Sequence, residues 1–466
     1  MIVRRALLAA TLTAGILTGT PAAAAAPSCA APVPSDTRPG YLVADPDCEL
    51  DGTPFTALPG ATVHTGIQAG AAYRIEVPQR WNGRLVVYAH GYRGTGSTVY
   101  VSNPELRRHY VDRGYAWAAS SYATNGYDVG QGVRDTYALT GLFRQVTGRT
   151  ARKVYISGAS MGGHVTAVAI EEYPRAFAGA MPYCGVLGDA ELFDYFLDAN
   201  VTAAALAGVG IEFPLQPDAA YPARFAGQVA RITTALTGTP AGQTWSDVLE
   251  RRSGGERPGF PAAFAYWNAA SQGGLPFLFS VYPGLSGGTA GIAPGNLTDN
   301  RHTVYRSTDR RWPTAAELRL NAAVQRVART AYPDRGLAGV PRIDGRPGVP
   351  VLSLHGVGDL FVPFSMEQEY ARRAWANGRS RLFVSRAVRT VAHCGFTGAE
   401  LSRAFDDLIA WTDRGRRPAG DAILDRRTVA SATFGCRFTV GVRPEYAPDV
   451  CPRRPAAPAG SAATPG

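Results

Sequence analysis

The sequence predicts an α/β chain: a mainly parallel sheet covered by helices and interrupted by a large, mostly helical insertion. Three observations lead there. From about Tyr73 onward, short apolar and β-branched runs alternate with helix-period segments, the pattern of parallel strands joined by helical crossovers. The strand-like runs stop near Tyr183 and resume only at Val349, and the stretch between them carries helix-like segments and Gly/Pro breaks such as Gly273-Gly274 and Pro283-Gly284. With 466 residues, 45% of them hydrophobic, the chain is long enough for one large core plus an inserted module.

Taken in order, Arg4 and Arg5, the apolar stretch Ala6 to Leu17 and the small-residue run Ala22 to Ala26 read as an export signal over residues 1–26. That apolar stretch is too short to span a bilayer, and no later segment is long enough, so no stable membrane insertion is expected. An N-terminal extension follows over 27–72. The first part of the core, 73–188, holds the predicted strands Tyr73 to Val77, Leu85 to Ala89, Tyr115 to Ser120, Val154 to Ser157 and Gly179 to Tyr183. The insertion spans 189–346. Within it, Thr314 and Glu317 make a capping box, and Leu318, Ala322, Val324 and Val327 supply an apolar stripe for a helix ending near Tyr332-Pro333. The second part of the core, 347–415, holds strands Val349 to His355 and Leu382 to Val391. The last segment, 416–466, carries two cysteines and a Pro/Ala-rich tail expected to be disordered.

The net charge of +10 suggests an acidic partner at first sight, but Lys153 is the sole lysine and the arginines are scattered. This is an arginine preference rather than a basic stripe with interleaved aromatics, and nucleic-acid binding is not expected. Six cysteines in an exported chain point to three disulfides, for which 15 connectivities exist. Proximity in the chain favours Cys29 with Cys48 and Cys436 with Cys451, which leaves Cys184 with Cys394. No cysteine pair has metal-site spacing with histidines, so neither zinc nor another cofactor is expected.

Four local patterns carry chemistry. Gly158-Ala159-Ser160-Met161-Gly162 lies between the strand ending at Ser157 and a helical pattern through Val165, Val168, Ala169 and Ile170. A serine on such a sharp turn needs small neighbours, and the following helix start aims N–H groups at a developing negative charge. His90-Gly91-Tyr92 closes the strand Leu85 to Ala89. Asp359 stands at the tip of a glycine-rich turn after the strand through Leu354 and His355. His393 follows the last predicted strand and precedes a well-marked helix: Thr397 and Glu400 form a capping box, Phe396 and Leu401 a hydrophobic staple, and Leu401, Phe405, Leu408 and Ile409 one apolar face. His64, His109 and His302 lack such a setting, His164 lies in the helix after the serine, and His355 sits within a strand.

Together these residues resemble the α/β-hydrolase superfamily, over both core parts, and look most like its exported esterase and peptidase branches from arginine-rich actinobacteria. The resemblance implies Ser160 as nucleophile, Asp359 as acid and His393 as base, with the N–H groups of Tyr92 and Met161 forming the oxyanion hole and His90 a structural loop residue. Asp189, shortly after the strand Gly179 to Tyr183, is a rival for the acid, because some members of the fold carry theirs there. A narrower resemblance is to the tannase and feruloyl esterase family, in which a cysteine beside the serine is bonded to one beside the histidine. Cys394 follows His393, but Ala159 precedes Ser160, so Cys184 would have to supply the bond.

The leading function is hydrolysis of a carboxylic ester, its substrate a small molecule or a polymer-derived ester. Phe193, Tyr195, Phe196, Trp245, Tyr266, Trp267 and Phe277 of the insertion are candidate pocket residues, set against a plain role in the insertion's own core. A peptidase of the same fold is the alternative, with Glu191, Asp194, Asp198 and Glu212 available to grip an amino terminus, set against a role in complementing a helix dipole. A non-catalytic binding protein would be expected to lack a member of the triad, and none is missing.

Overall fold

The computed structural model describes residues 29–214, 217–281, 295–333, 336–447 and 450–451. The segment read as an export signal, the Pro283-Gly284 break and the tail beyond Cys451 lie outside them. Eight strands form the main sheet: β1 (Ala61–Gln68), β2 (Ala71–Pro78), β3 (Arg84–Ala89), β4 (Ala116–Ser120), β5 (Lys153–Ala159), β6 (Gly179–Tyr183), β7 (Val351–Gly356) and β8 (Phe383–Val388). Their spatial order is β1-β2-β4-β3-β5-β6-β7-β8. From β4 to β8 every pairing is parallel, while β2 runs antiparallel to both β1 and β4.

Alternation along the strands explains the two cores. Leu85, Val87 and Ala89 of β3 face one side with α2 (Val129–Thr147) and α3 (Met161–Glu172), whereas Val86 and Tyr88 face the other. That other side is covered by α1 (Arg107–Asp112) and α11 (Gly398–Arg414), the latter through Leu401, Phe405, Leu408 and Trp411. Both faces are apolar because both are covered, as parallel sheets require. Burying Phe405, 1% exposed, contributes about 1.5–3 kcal/mol.

Between β6 and β7 come α4 (Glu191–Ala207), α5 (Tyr221–Leu236), α6 (Pro240–Arg252), α7 (Phe260–Ala269), the short α8 (Phe277–Ser280) and α9 (Ala315–Ala323). Leu197, Val201, Val248, Tyr305, Leu320 and Val324 give this segment a small core of its own. α10 (Ser365–Ala376) then leads from β7 to β8.

Several elements differ from the expectation. β1 was not foreseen; it lies in the N-terminal extension and is joined to β2 by a two-residue turn, Ala69-Gly70, with positive φ at both positions (50° and 78°). The capping box of α9 is present, but its stripe is not: Leu318 is 59% exposed, and Glu317 and Leu320 are the buried residues. The Glu317 carboxylate faces inward and accepts from the N–H groups of Ser307, Thr308 and Thr314, which turns Leu318 outward. This helix also stops at Ala323 rather than near Tyr332. Val324 is extended, and the side chains of Asn300 and Asn296 bind the backbone of Gln325, Val327 and Ala328 in place of helical partners. β8 ends at Val388 because Arg389 turns to the C-terminal segment, its N–H donating to Thr439 Oγ1 and its guanidinium to the Phe434 carbonyl.

All three disulfides are formed: Cys29–Cys48, Cys184–Cys394 and Cys436–Cys451. No helix among the described residues is long and apolar enough to cross a membrane.

Candidate active site

Ser160 stands at the junction of β5 and α3 with φ 57° and ψ −122°, a conformation that costs a non-glycine residue roughly 1–3 kcal/mol and persists only where its surroundings enforce it. Those surroundings are close-packed main chain. A methyl group at Gly158 would sit 2.1 Å from the Gly162 carbonyl oxygen, and one at Gly162 would sit 2.0 Å from that of Ala89. The glycines two residues either side of the serine are therefore steric requirements of the turn. Gly91 packs against the serine itself, since a Cβ there would lie 3.0 Å from Ser160 Cβ and 3.6 Å from its Oγ. The His90-Gly91-Tyr92 loop thus borders Ser160. Met161 is the first residue of α3, so its N–H has no intrahelical acceptor. The Tyr92 ring is 39% exposed.

His90 is spoken for. Its Nε2 lies 3.1 Å from the Ser121 carbonyl, its Nδ1 lies 2.7 Å from the Gly91 carbonyl and 2.9 Å from Arg93 Nε, and its ring stacks on Tyr122 at 3.8 Å. Burial, and secondarily the adjacent Arg93 guanidinium, hold its pKa well below the usual value, so it stays neutral and fixed.

At the ends of β7 and β8, Asp359 and His393 meet. Asp359 is fully buried, and its Oδ1 accepts from the N–H groups of Phe361 (2.9 Å) and Val362 (3.0 Å). Its Oδ2 accepts from His393 Nδ1–H at 2.6 Å. An ionised carboxylate only accepts, so this bond fixes the proton on Nδ1 and leaves Nε2 as the basic nitrogen. Nε2 is buried and has no hydrogen-bond partner among the described residues. In unliganded sites a base and its nucleophile often come within bonding distance only when substrate is bound.

The rival acid is engaged elsewhere. Asp189 Oδ2 accepts from Arg373 Nη1 at 2.5 Å and from the Ile343 N–H at 2.9 Å. Its carboxylate ties the start of the insertion to α10.

The Cys184–Cys394 bond draws the histidine loop toward the serine. Ser160 N–H donates to the Tyr183 carbonyl at 3.1 Å, Cys184 follows Tyr183 at the end of β6, and Cys394 follows His393. Both cysteines have positive φ, 44° and 57°. The capping box of Thr397 and Glu400 is present, and Phe396 packs on the core cluster that contains Leu401. Glu400 also accepts from the Val440 N–H and pairs with Arg443, which fastens the C-terminal segment to the same loop.

The remaining histidines are placed away from this chemistry or bound within it. His164 Nε2–H donates to the Pro341 carbonyl and its Nδ1 accepts from Tyr127; burial, chiefly, lowers its pKa to about 4. His355 Nε2–H donates to the Val362 carbonyl, below the Asp359 turn, and its Nδ1 lies 3.4 Å from Glu367, an ion pair too long to be a well-formed hydrogen bond. His109 pairs with Asp406.

Of the seven aromatics named in the insertion, Trp267 and Phe277 reach the site. The Phe361 ring lies 4.8 Å from that of His393, Phe277 lies 5.0 Å from Phe361, and Trp267 lies 4.6 Å from Phe277. Phe361 went unnoticed in the sequence, although it sits two residues after the acid. Tyr266 is 47% exposed, Phe193 packs on Tyr127, Tyr195 on Phe196, and Trp245 on Phe264 and Phe279. Three of the four named acids are taken up within the insertion. Asp198 pairs with Arg252 and accepts from Tyr305, Asp194 pairs with Arg329 and accepts from the Asp299 N–H, and Glu212 pairs with Arg224. Glu191 has its carboxyl pushed up by burial, with Glu369 nearby adding to the effect. Cys184, His393 and Cys394 bring their ligand atoms within 4.8 Å of one another, but both sulfurs are spent in the disulfide and neither is available to a metal.

No family model matches the chain. Over 274 residues it is 25% identical to a protein described as an o-phthalyl amidase from Xanthobacter agilis; the match covers 55% of this chain and 55% of that protein, so the chain spans about half the length of the curated relative it matches. Among solved structures it is similar to an esterase from Aspergillus oryzae (TM-score 0.43, 14% identity, 77% of this chain and 80% of that one) and to feruloyl esterase B from Aspergillus oryzae (0.42, 16%, 78% and 82%). It is also similar to the acylaminoacyl peptidase of Pyrococcus horikoshii (0.36, 11%, 78% and 44%). On its own strand order, its parallel register and the strand-turn-helix that carries Ser160, the chain has the α/β-hydrolase fold.

Proposed function

We propose that this protein is an exported serine hydrolase that cleaves a carboxylic ester of an aromatic acid by two-step acyl transfer. Ser160 attacks the carbonyl carbon while His393 Nε2 takes its proton, and Asp359 holds the imidazole and stabilises the imidazolium. The N–H groups of Tyr92 and Met161 receive the oxyanion, the protonated histidine gives its proton to the leaving alcohol, and water then releases the acid by the same steps. The observation that carries this reading is the 2.6 Å Asp359–His393 bond on a loop tethered by disulfide to the strand end next to Ser160. An aryl acyl group is supported by the wall that Phe361, Phe277 and Trp267 form beside the histidine. Export is supported by three disulfides and the N-terminal signal pattern.

The likeness to an o-phthalyl amidase favours a second reading, cleavage of an aryl amide by the same residues. Gripping of a free amino terminus is less well supported, because Asp194, Asp198 and Glu212 are already paired. A panel of p-nitrophenyl esters and p-nitroanilides carrying benzoyl, acetyl and aminoacyl groups separates these readings. A fitted ring is worth roughly 10- to 100-fold in kcat/KM, so the benzoyl ester is expected to exceed the acetyl ester by that factor. Aminoacyl-anilide turnover above both would contradict the ester reading, and benzoyl-anilide turnover above the benzoyl ester would replace it with the amide reading.

A further inference from the structure

Trp267 belongs to α7 of the insertion, yet its indole reaches the loops that carry the acid and the base. The side chain is buried, and its N–H points between two carbonyl oxygens, Val391 O at 2.8 Å and Gly358 O at 3.2 Å. Gly358 precedes Asp359, and Val391 stands two residues before His393. The two loops leave neighbouring parallel strands and are joined directly by two main-chain bonds, Val357 N–H to Val388 O at 2.8 Å and Gly358 N–H to Thr390 O at 2.9 Å, and by the Asp359–His393 bond. The shared indole proton is a further tie between the same loops, made from the insertion's side. The indole face, meanwhile, packs on Phe277 at 4.6 Å and on Phe361 at 6.2 Å. Tryptophan can fill such a wall and still donate a hydrogen bond through its indole N–H.

We infer that Trp267 is a positioning residue, whose indole N–H clamps the Asp359 and His393 loops in register and makes the geometry of that pair depend on the placement of the insertion. This rests on reading Asp359 and His393 as the acid and base of the reaction. Without the donor, two buried carbonyls lose a shared partner and the loops part to find others. The short Asp359–His393 bond lengthens as they do, and a misplacement on the order of 1 Å at a reacting group costs up to about 100-fold in rate. The ring, in contrast, contributes to acyl binding, so its two functions separate by substitution.

The test compares Trp267→Phe, which keeps a ring and removes the N–H, with Phe277→Leu, which removes a wall ring and keeps the N–H. Each full-length variant is assayed on the benzoyl ester and examined by proton NMR for the downfield resonance of His393 Nδ1–H. For Trp267→Phe, kcat is expected to fall about 10- to 100-fold with KM within about threefold, and the downfield resonance to be lost or moved upfield. For Phe277→Leu, KM is expected to rise and the resonance to stay. Wild-type kcat and an unmoved resonance in Trp267→Phe would overturn the inference. If Trp267→Phe does not fold, the same two readouts are taken on protein carrying 3-benzothienylalanine at position 267, which preserves the bicyclic shape and replaces only the N–H. Ser160→Ala serves as the separate control: undiminished turnover in that variant would sink the catalytic reading, while the resonance would still decide whether Trp267 holds the pair.

Discussion

Asp189 and Asp359 are both buried carboxylates at the ends of core strands, and their oxygens define what each does. Asp359 receives two loop N–H groups on one oxygen and the histidine on the other, whereas Asp189 receives an arginine and main-chain N–H groups. Asp359→Asn is therefore expected to lower turnover by about 10⁴-fold while the protein still folds, because an amide favours the wrong imidazole tautomer. Asp189→Asn weakens the tie to Arg373, which keeps its pair with Glu369, and is expected to cost about 1–3 kcal/mol of stability, with turnover of the folded fraction preserved. Steady-state kinetics and urea denaturation of the two variants check this; loss of turnover without loss of stability in Asp189→Asn would reverse the assignment. Ser160, Asp359 and His393 were legible as candidates in the sequence because each sits in a local pattern of its own. What engages Asp189 was not, since its partner Arg373 lies 184 residues away. Trp267 was named in the sequence as a wall residue, but its clamp was hidden for the same reason, its acceptors lying 91 and 124 residues away.

At the scale of elements, two capping boxes were equally visible in the sequence, and only one came with a correctly read helix. α11 has both ends marked, by Thr397 and by Gly415 in the left-handed conformation, and its apolar face meets the sheet. α9 has a box and no matching stop, and tertiary bonds to Asn296 and Asn300 decide where it ends. Thr397→Ala is expected to destabilise the protein by about 1 kcal/mol and to loosen the histidine loop, which thermal melts and the kcat of the same variant together report. α4 carries an ionisation of its own. Burial pushes the Asp194 carboxyl up to about 8, with Asp299 N–H pulling the other way. The folded state then holds a proton that the unfolded chain releases near its ordinary 3.8, the contact with Arg329 becoming an ion pair only above about 8, so this group makes stability fall as pH rises from about 4 through about 8. Asp194→Asn is expected to flatten that part of the stability profile; an unchanged slope across the window would refute it.

For the molecule as a whole, the sheet was readable because each of its parallel strands is a short apolar run punctuated by glycine, and the order of chemistry along the chain followed from it. The edge strand β1 was not, because it is only half covered and alternates weakly. The internal path of the insertion was equally hidden, being set by buried ion pairs such as Asp198–Arg252 rather than by periodicity. The Cys184–Cys394 bond joins the two core parts across 210 residues, a closure worth up to about 5 kcal/mol in chain entropy. Cys394→Ser is expected to lower both the melting temperature and turnover. Cys436→Ser, which opens a loop of only 15 residues whose Val440 and Arg443 bind Glu400, is expected to lower turnover less than Cys394→Ser does. If Ser160 is a nucleophile activated by the His393–Asp359 pair, a fluorophosphonate labels it. Labelling of the purified protein followed by peptide mapping is expected to give a single adduct on Ser160, formed far more slowly in His393→Ala. An unlabelled folded protein, or an adduct on another residue, would contradict that reading of Ser160.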